Sequence, residues 1–281
     1  MKKLGEIKLW GVVPALSWTV VFFLVPLAIM LVYSFWSLVD YKIEPTWTLD
    51  NYRYFFTKSF YYSALWNSLL ITLWSAVISI LVAFPLAYAI AFKIPKRFQL
   101  ISLIAMIIPF WTSYIVRSYS WLTILSENGI INQFLMSLGL TSVSLDIVYT
   151  KPAIILGFVH FFIMLLTLTI YASLVQINRS YFRAAEDLGA NRFKTLFYIT
   201  LPLSLPGIMI GTFIAIILAF GDFITPAILG GNVELVLPLS LVFEIQHRIN
   251  FPQAAAIGII MMVIMGMTFL AFYRYVRVSE L

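Results

Sequence analysis

The stretch RAAEDLGANRFKTLFYITLPLSLPG, residues 183–207, decides how this chain is read. It starts charged and ends apolar. Before it, residues 152–178 contain no Asp, Glu, Lys or Arg; after it, no charge appears until Asp222. Ser180 can cap a helix that starts at Tyr181 and ends at Leu188, with Gly189 where a helix C-terminus prefers glycine. Asn191 can cap a second helix, from 192 to about 200. Its Phe193, Leu196 and Phe197 fall at i, i+3 and i+4, so they share one face. The Leu201–Pro202 pair is expected to end that helix and launch the next apolar segment. Helices of two turns are unstable alone in water. These two need packing, either at a membrane surface or in a groove on a soluble partner.

The rest of the chain sets the solvent. Of 281 residues, 62% are hydrophobic and only 11% charged, whereas soluble domains carry about 25% charged residues. Besides 152–178, residues 9–39, 59–92 and 249–273 also lack Asp, Glu, Lys and Arg. About 20 apolar residues suffice for a helix to cross a bilayer core. The expected fold class is all-α, a polytopic membrane protein with six transmembrane helices. They are placed at about 11–38, 66–92, 99–124, 152–175, 204–228 and 253–275, in one domain over residues 1–281. A transmembrane barrel would alternate in short segments instead. The N-terminal apolar run reaches Val39, too long for a signal-peptide core, and reads as an uncleaved first span. Pro109 and Arg117 interrupt the third span.

Charge gives an orientation. One set of loops holds Lys2, Lys3, Lys8, Lys93, Lys96, Arg97, Arg179, Arg183, Arg192, Lys194, Arg274 and Arg277. The opposite set holds only Lys42, Arg53, Lys58, Lys151 and Arg248. Basic residues favour the cytoplasmic side, so both termini and the loop 179–203 are expected there. Asp40, Glu44, Asp50, Glu127, Asp146, Glu234 and Glu244 then lie outside. Residues 40–65 are rich in aromatics, from Tyr41 and Trp47 to Tyr61 and Tyr62, which suit an interfacial belt or a docking face for an outside partner. Residues 128–150 suit a short amphipathic helix on the outer surface.

Several function classes are disfavoured. With no cysteine, disulfides and thiolate chemistry are excluded. No GxxxxGK[ST] loop is present to cradle a nucleotide phosphate. His160 and His247 are not spaced as a pair for haem or metal. No nucleophile and base face one another as a membrane protease requires, and ILGGN is too weak to mark a channel filter.

The loop resembles the signature of binding-protein-dependent ABC import permeases, with a MetI-like transmembrane domain. That signature runs Glu-Ala-Ala, three residues, Gly, nine residues, Ile, one residue, Leu-Pro. Ala184, Ala185, Gly189, Ile199, Leu201 and Pro202 stand at the matching places. Arg183 stands where the signature has Glu, with Glu186 three residues on. The resemblance implies a type I ABC importer permease fold and makes Arg183 to Pro202 the coupling helix that enters a cleft of an ATPase subunit. Two further stretches, PFWTSYIVRSYSW at 109–121 and AFGDFITPAILGG at 219–231, are similar to the permeases for spermidine and putrescine (PotB type).

That branch implies a heterodimer with a second permease (PotC-like), two ATPase subunits (PotA-like) and a soluble outer binding protein (PotD-like). ATP and Mg would sit on the ATPase, with no cofactor or metal in this chain. The setting would be lipid in a bacterial plasma (inner) membrane, with no role for nucleic acid. Related branches carry ferric iron, opines or aminophosphonates. An ATP-independent channel or facilitator is the alternative from another class.

A polyamine needs carboxylates for charge and aromatic faces for cation–π contact. Trp111, Tyr114, Ser118 and Trp121 fall on one face of the third span at helical spacing, as a substrate pathway or as ordinary packing. Asp222 lies about 22 Å along the fifth span from Gly207, and Arg117 about 28 Å along the third from Phe98. Ionisable residues at such depth usually face a cavity. Asp222 is thus a substrate-path candidate, and an Arg117–Asp222 ion pair is the structural alternative. Arg117 can also snorkel to the interface. Pro226, Gly230 and Gly231 would let the chain bend after Asp222 into a loop that lines the pore.

Overall fold

The computed structural model describes residues 9–231 and 233–278. Lys2, Lys3 and Lys8 of the basic count lie outside them. Five helical segments are long and apolar enough to cross a membrane: Val13–Tyr33, Ser59–Lys93, Lys151–Leu174, Arg192–Gly221 and Phe251–Tyr273. A sixth is broken. Lys96–Trp111 and the helical stretch from Tyr114 meet at 88°. The third span is therefore not the single rod expected over 99–124. The break falls where Pro109 enters a 3₁₀ turn, Ile108–Trp111, after which Thr112 is extended. Arg117 does not interrupt anything; it lies inside the following helix, Tyr114–Leu125.

The chain divides into two compact units, residues 1–62 with 240–264, and residues 63–239 with 265–281. In the first, a hairpin pairs Ser37–Val39 with Lys42–Glu44. Asp40 and Tyr41 both have positive φ, the geometry of the tight turns that match strand twist. Sequence reading did not anticipate this hairpin. The helix Asp50–Thr57 follows, and Asn51 ties it back by donating to the Ser34 and Trp36 carbonyls at 2.9 and 2.7 Å. Phe55 and Tyr61 of the aromatic run are buried in this unit, while Tyr41, Trp47, Phe56 and Tyr62 are exposed. The belt reading therefore fits only part of 40–65.

In the second unit the Lys151–Leu174 helix packs along Leu201–Gly221. Gly207, Gly211, Ala215 and Ala219 recur every fourth residue and are all buried. A Cβ on Gly207 would run into the Thr169 carbonyl and the Ser173 side chain. In lipid no hydrophobic force drives helices together, so close backbone approach over small residues supplies the contact. Ser75, Ser79, Ala83 and Ala87 form a similar buried stripe on Ser59–Tyr88. The helix Ile130–Ser137 occupies the expected place within 128–150. Buried Asn132 holds the segment, bridging the Ser126 and Leu145 carbonyls and accepting from the Leu145 N–H.

Three π-helical turns occur among the described residues, at Val20–Leu24, Ala89–Lys93 and Leu196–Thr200. Each is followed two residues later by a proline: Pro26, Pro95 and Pro202. Proline removes an N–H and its ring presses on the carbonyl four residues back. A wider i→i+5 turn closes on the residue just before the proline and moves that carbonyl aside. Around Pro95 the freed Ala91 carbonyl is taken by the Gln99 amide at 3.2 Å. At Pro26 and Pro202 the helix continues through the turn. This corrects the expected stop at Leu201–Pro202: the structure runs helically from Arg192 to Gly221.

Candidate functional site

Two regions carry the residues singled out in the sequence. The loop 179–203 is built by caps. Asn178, not Ser180, caps the first helix, Arg179–Asp187, by accepting from the Ser180 N–H at 3.0 Å. Gly189 has φ +72°. Its N–H reaches the Glu186 carbonyl and that of Ala190 reaches Ala185, both at 2.9 Å. This paired closure at a left-handed glycine satisfies carbonyls the helix end would leave open. Asn191 caps the second helix as expected, accepting from Lys194 N–H at 2.9 Å.

Ala185 is buried and Phe182 packs edge-on against Phe92, so the first helix is seated on the spans. Arg183, Ala184 and Glu186 face outward, and Ile199 and Leu201 are half-buried. Leu188 is 87% exposed and Phe193 73%, with Phe197 and Tyr198 also open. The loop thus exposes an apolar patch among its charges.

The second region lies where the two broken segments meet. Leu201–Gly221 ends at Asp222, whose backbone is extended (φ −86°, ψ 126°). A short helix, Ile224–Leu229, follows. Asp222 accordingly sits at the end of the fifth span, not within a continuous 204–228 helix, and the chain turns at Asp222 itself instead of at Pro226 and the two glycines. The cause is a cap. Asp222 Oδ1 accepts from the Ile224 N–H at 2.8 Å and Oδ2 from the Thr225 N–H at 3.3 Å. Tyr114, the first residue after the break in the third span, donates its phenol to Asp222 Oδ2 and also meets the Thr225 hydroxyl.

Arg117 does not pair with Asp222; among the described residues the side-chain ion pairs are Lys151–Glu234 and Arg248–Glu244. Its Nη2 instead donates to the carbonyls of Pro109, Phe110 and Thr112, at 3.3, 3.3 and 3.1 Å. The Pro109 carbonyl also takes the Thr112 N–H and hydroxyl, so Arg117 adds to the closure of the 3₁₀ break. Its guanidinium lies over Phe161, 5.1 Å from the ring centre. It is only 7% exposed, so it does not snorkel. The depth count assumed a straight helix, and the 88° bend removes that premise.

A cavity of about 370 Å³ opens here, lined by Tyr114, Phe158, Phe161, Phe162, Ile217, Leu218, Gly221 and Asp222. The structure thus brings Tyr114 and Asp222 together. It does not bring the others. Trp111 lies before the break, 85% exposed, beside Ile104, Ile107 and Ile108. Ser118 is buried and donates to the Tyr114 carbonyl. Trp121 donates its indole N–H to His160 Nδ1 at 3.0 Å. The shared face of four residues dissolves because Trp111 belongs to a different helical axis. Sequence reading missed Phe158, Phe161 and Phe162, although their i, i+3, i+4 spacing was available as a signal.

Residues 83–278 match the binding-protein-dependent transport system inner membrane component family. The chain belongs to that family. The matched range contains the loop, both broken segments and the cavity. The permease is 30% identical over 260 residues to the spermidine/putrescine transport system permease protein PotB of Haemophilus influenzae, covering 92% of this chain and 90% of that protein. The Salmonella typhimurium PotB is 28% identical over 278 residues, covering 99% and 96%. Among solved structures, a bacterial alginate ABC transporter in complex with a periplasmic protein superposes with a TM-score of 0.79 at 18% identity, over 96% of this chain and 93% of that one. The MetNI methionine ABC transporter gives 0.53 at 16%, over 77% and 94%. The permease therefore has the importer fold and is a multi-pass component of the inner membrane.

Proposed function

We propose that this permease is one membrane subunit of an ATP-driven importer that brings polyamines of the spermidine and putrescine class into the cytoplasm. The observation that carries this is the near full-length likeness to the PotB proteins. Both termini and the loop 179–203 face the cytoplasm in this reading. A PotC-like second permease completes the path, a PotD-like binding protein docks outside, and two PotA-like ATPase subunits bind below and hold ATP and Mg. The chain itself catalyses nothing.

The patch of Leu188, Phe193, Phe197 and Tyr198 supports the ATPase contact, since short helices that expose such side chains gain stability by burying them. Arg183, Ala184, Ala185, Glu186 and Gly189 shape the first helix that enters the cleft. Ile199, Leu201 and Pro202 lie in the second helical run, which continues from Arg192 to Gly221 without a break. A push on the loop is thereby passed along a continuous helix to Asp222. Alternating access follows if ATP binding favours one arrangement of the spans and release favours the other. Tyr114 and Asp222, with Phe158 and Phe161 beside them, line part of the path.

Co-purification tests the coupling. The tagged chain, extracted from its own membranes in mild detergent, should retain an ATPase subunit. Phe193→Asp and Gly189→Glu should lose it while the permease stays in the membrane in normal amount. An ATPase that remains bound in both variants, or is absent with the unaltered chain, would overturn the reading.

A further inference from the structure

A second carboxylate sits in surroundings built like a cation site. Glu244 is 1% exposed, near the end of the short helix Leu237–Gln246. Its Oε1 accepts from the Tyr61 phenol at 2.5 Å and from Arg248 Nη1 at 3.0 Å. Its Oε2 is buried and has no hydrogen-bond partner among the described residues. The Arg248 guanidinium lies 5.6 Å from the ring centres of both Phe60 and Phe243. Phe60 in turn packs on Tyr61 at 4.0 Å. A buried carboxylate, a phenol and two aromatic faces are what a desolvated organic cation needs.

Arg248 fills this cage incompletely. An arginine usually grips a carboxylate with two parallel N–H groups; here the Tyr61 and Arg248 donors converge on one oxygen. The Arg248 side chain is 42% exposed, while Glu244 is enclosed, so the arginine sits at the mouth and the carboxylate inside. The guanidinium keeps its charge firmly. Partial burial works against it, but the Glu244 carboxylate and the Tyr54 and Tyr61 phenols together raise it above its ordinary value. The backbone is bent to place it there. Ile249 has φ +53°, a costly conformation for a β-branched residue, and the Asn250 N–H closes the turn on the Glu244 carbonyl at 2.8 Å.

We propose that the Glu244 cage is a binding site for a primary ammonium group, which Arg248 occupies until an ammonium group of the incoming solute displaces it. An ammonium is compact and carries three donors, so it can reach both oxygens where the wide guanidinium reaches one. That the natural occupant is a polyamine rests on the function proposed above; the ammonium class rests on the cage alone.

The test is chemical rescue in the full chain, purified in lipid nanodiscs. Arg248→Ala empties the mouth and leaves Glu244 uncompensated. Radiolabelled putrescine should then bind about tenfold more tightly than to the unaltered chain, and should raise the melting temperature of the variant. Glu244→Gln added to Arg248→Ala should abolish both effects. Equal affinity in the Arg248→Ala variant and the unaltered chain, or binding that survives Glu244→Gln, would overturn the site. A measurement that needs no variant guards against misfolding. In the unaltered chain, saturating putrescine should speed phenylglyoxal modification of Arg248 by freeing its guanidinium, and an unchanged rate would overturn the exchange. If the importer moves no polyamine but Arg248→Ala gains Glu244-dependent putrescine binding, the function proposed above falls and the cage stands. If import is normal and that binding is absent, the cage alone falls.

Discussion

Asp222 and Glu244 are set among the same three residue types and wired differently. Each carboxylate takes a tyrosine phenol, Tyr114 or Tyr61, and each neighbourhood holds an arginine over a phenylalanine ring. At Asp222 the remaining donors are backbone N–H groups of the next helix, and Arg117 is turned away to cap carbonyls. At Glu244 the remaining donor is the arginine itself, and one oxygen is unmet. A carboxylate held by backbone is part of the frame and cannot be released without unmaking a helix end. A carboxylate held by a part-exposed side chain can exchange that partner. The same chemistry thus gives a joint in one place and a socket in the other.

The contrast can be broken by substitution. The largest effect is expected at Asp222→Ala, which loses a helix cap and a charged hydrogen bond together, about 3 kcal/mol of apparent stability in denaturant melts of the purified chain. Asp222→Asn keeps a capping oxygen and should lose about 1 kcal/mol. If Asn were as damaging as Ala, the negative charge and not the cap would be the point of the site.

Next comes a pair of lysines. Arg117→Lys removes the Nη2 that serves three carbonyls and puts a differently placed ammonium there, and should cost about 2 kcal/mol. Arg248→Lys keeps a cation at the mouth and should cost less than about 1 kcal/mol. Equal costs would mean that Arg248 is as structural as Arg117.

The smallest difference lies in the phenols. Tyr61→Phe removes one of two donors to a buried carboxylate and should cost about 1.5 kcal/mol; Tyr114→Phe leaves Asp222 two backbone donors and should cost about half that. The reverse order would contradict the view that Asp222 is the better satisfied of the two.

Much of the frame was legible in the sequence. Charge-free runs located the spans because lipid tolerates little else, and Gly189 and Asn191 marked helix ends because their backbone roles are local. The likeness of the loop to import permeases was equally local, held in Ala184, Ala185, Gly189, Ile199, Leu201 and Pro202. What was not legible depended on direction. Pro109 signalled a break but not an 88° turn, so every depth and face counted through it, for Trp111 and Arg117 alike, inherited a false axis. Pro202 read as a stop because its π-turn solution involves Leu196–Thr200, none distinctive alone. Glu244 read as an outer-loop acid because the helix that buries it, Leu237–Gln246, is too short to announce itself beside true spans.

The central claim is that the chain works in a polyamine importer, and its most direct test is ATP hydrolysis by the intact complex. Purified through a tag on this permease and reconstituted in vesicles with its binding protein, the complex should hydrolyse ATP faster when spermidine or putrescine is added, and not when an opine or ferric iron is added. Hydrolysis that no polyamine stimulates, or that responds to one of the other solutes instead, would contradict the account.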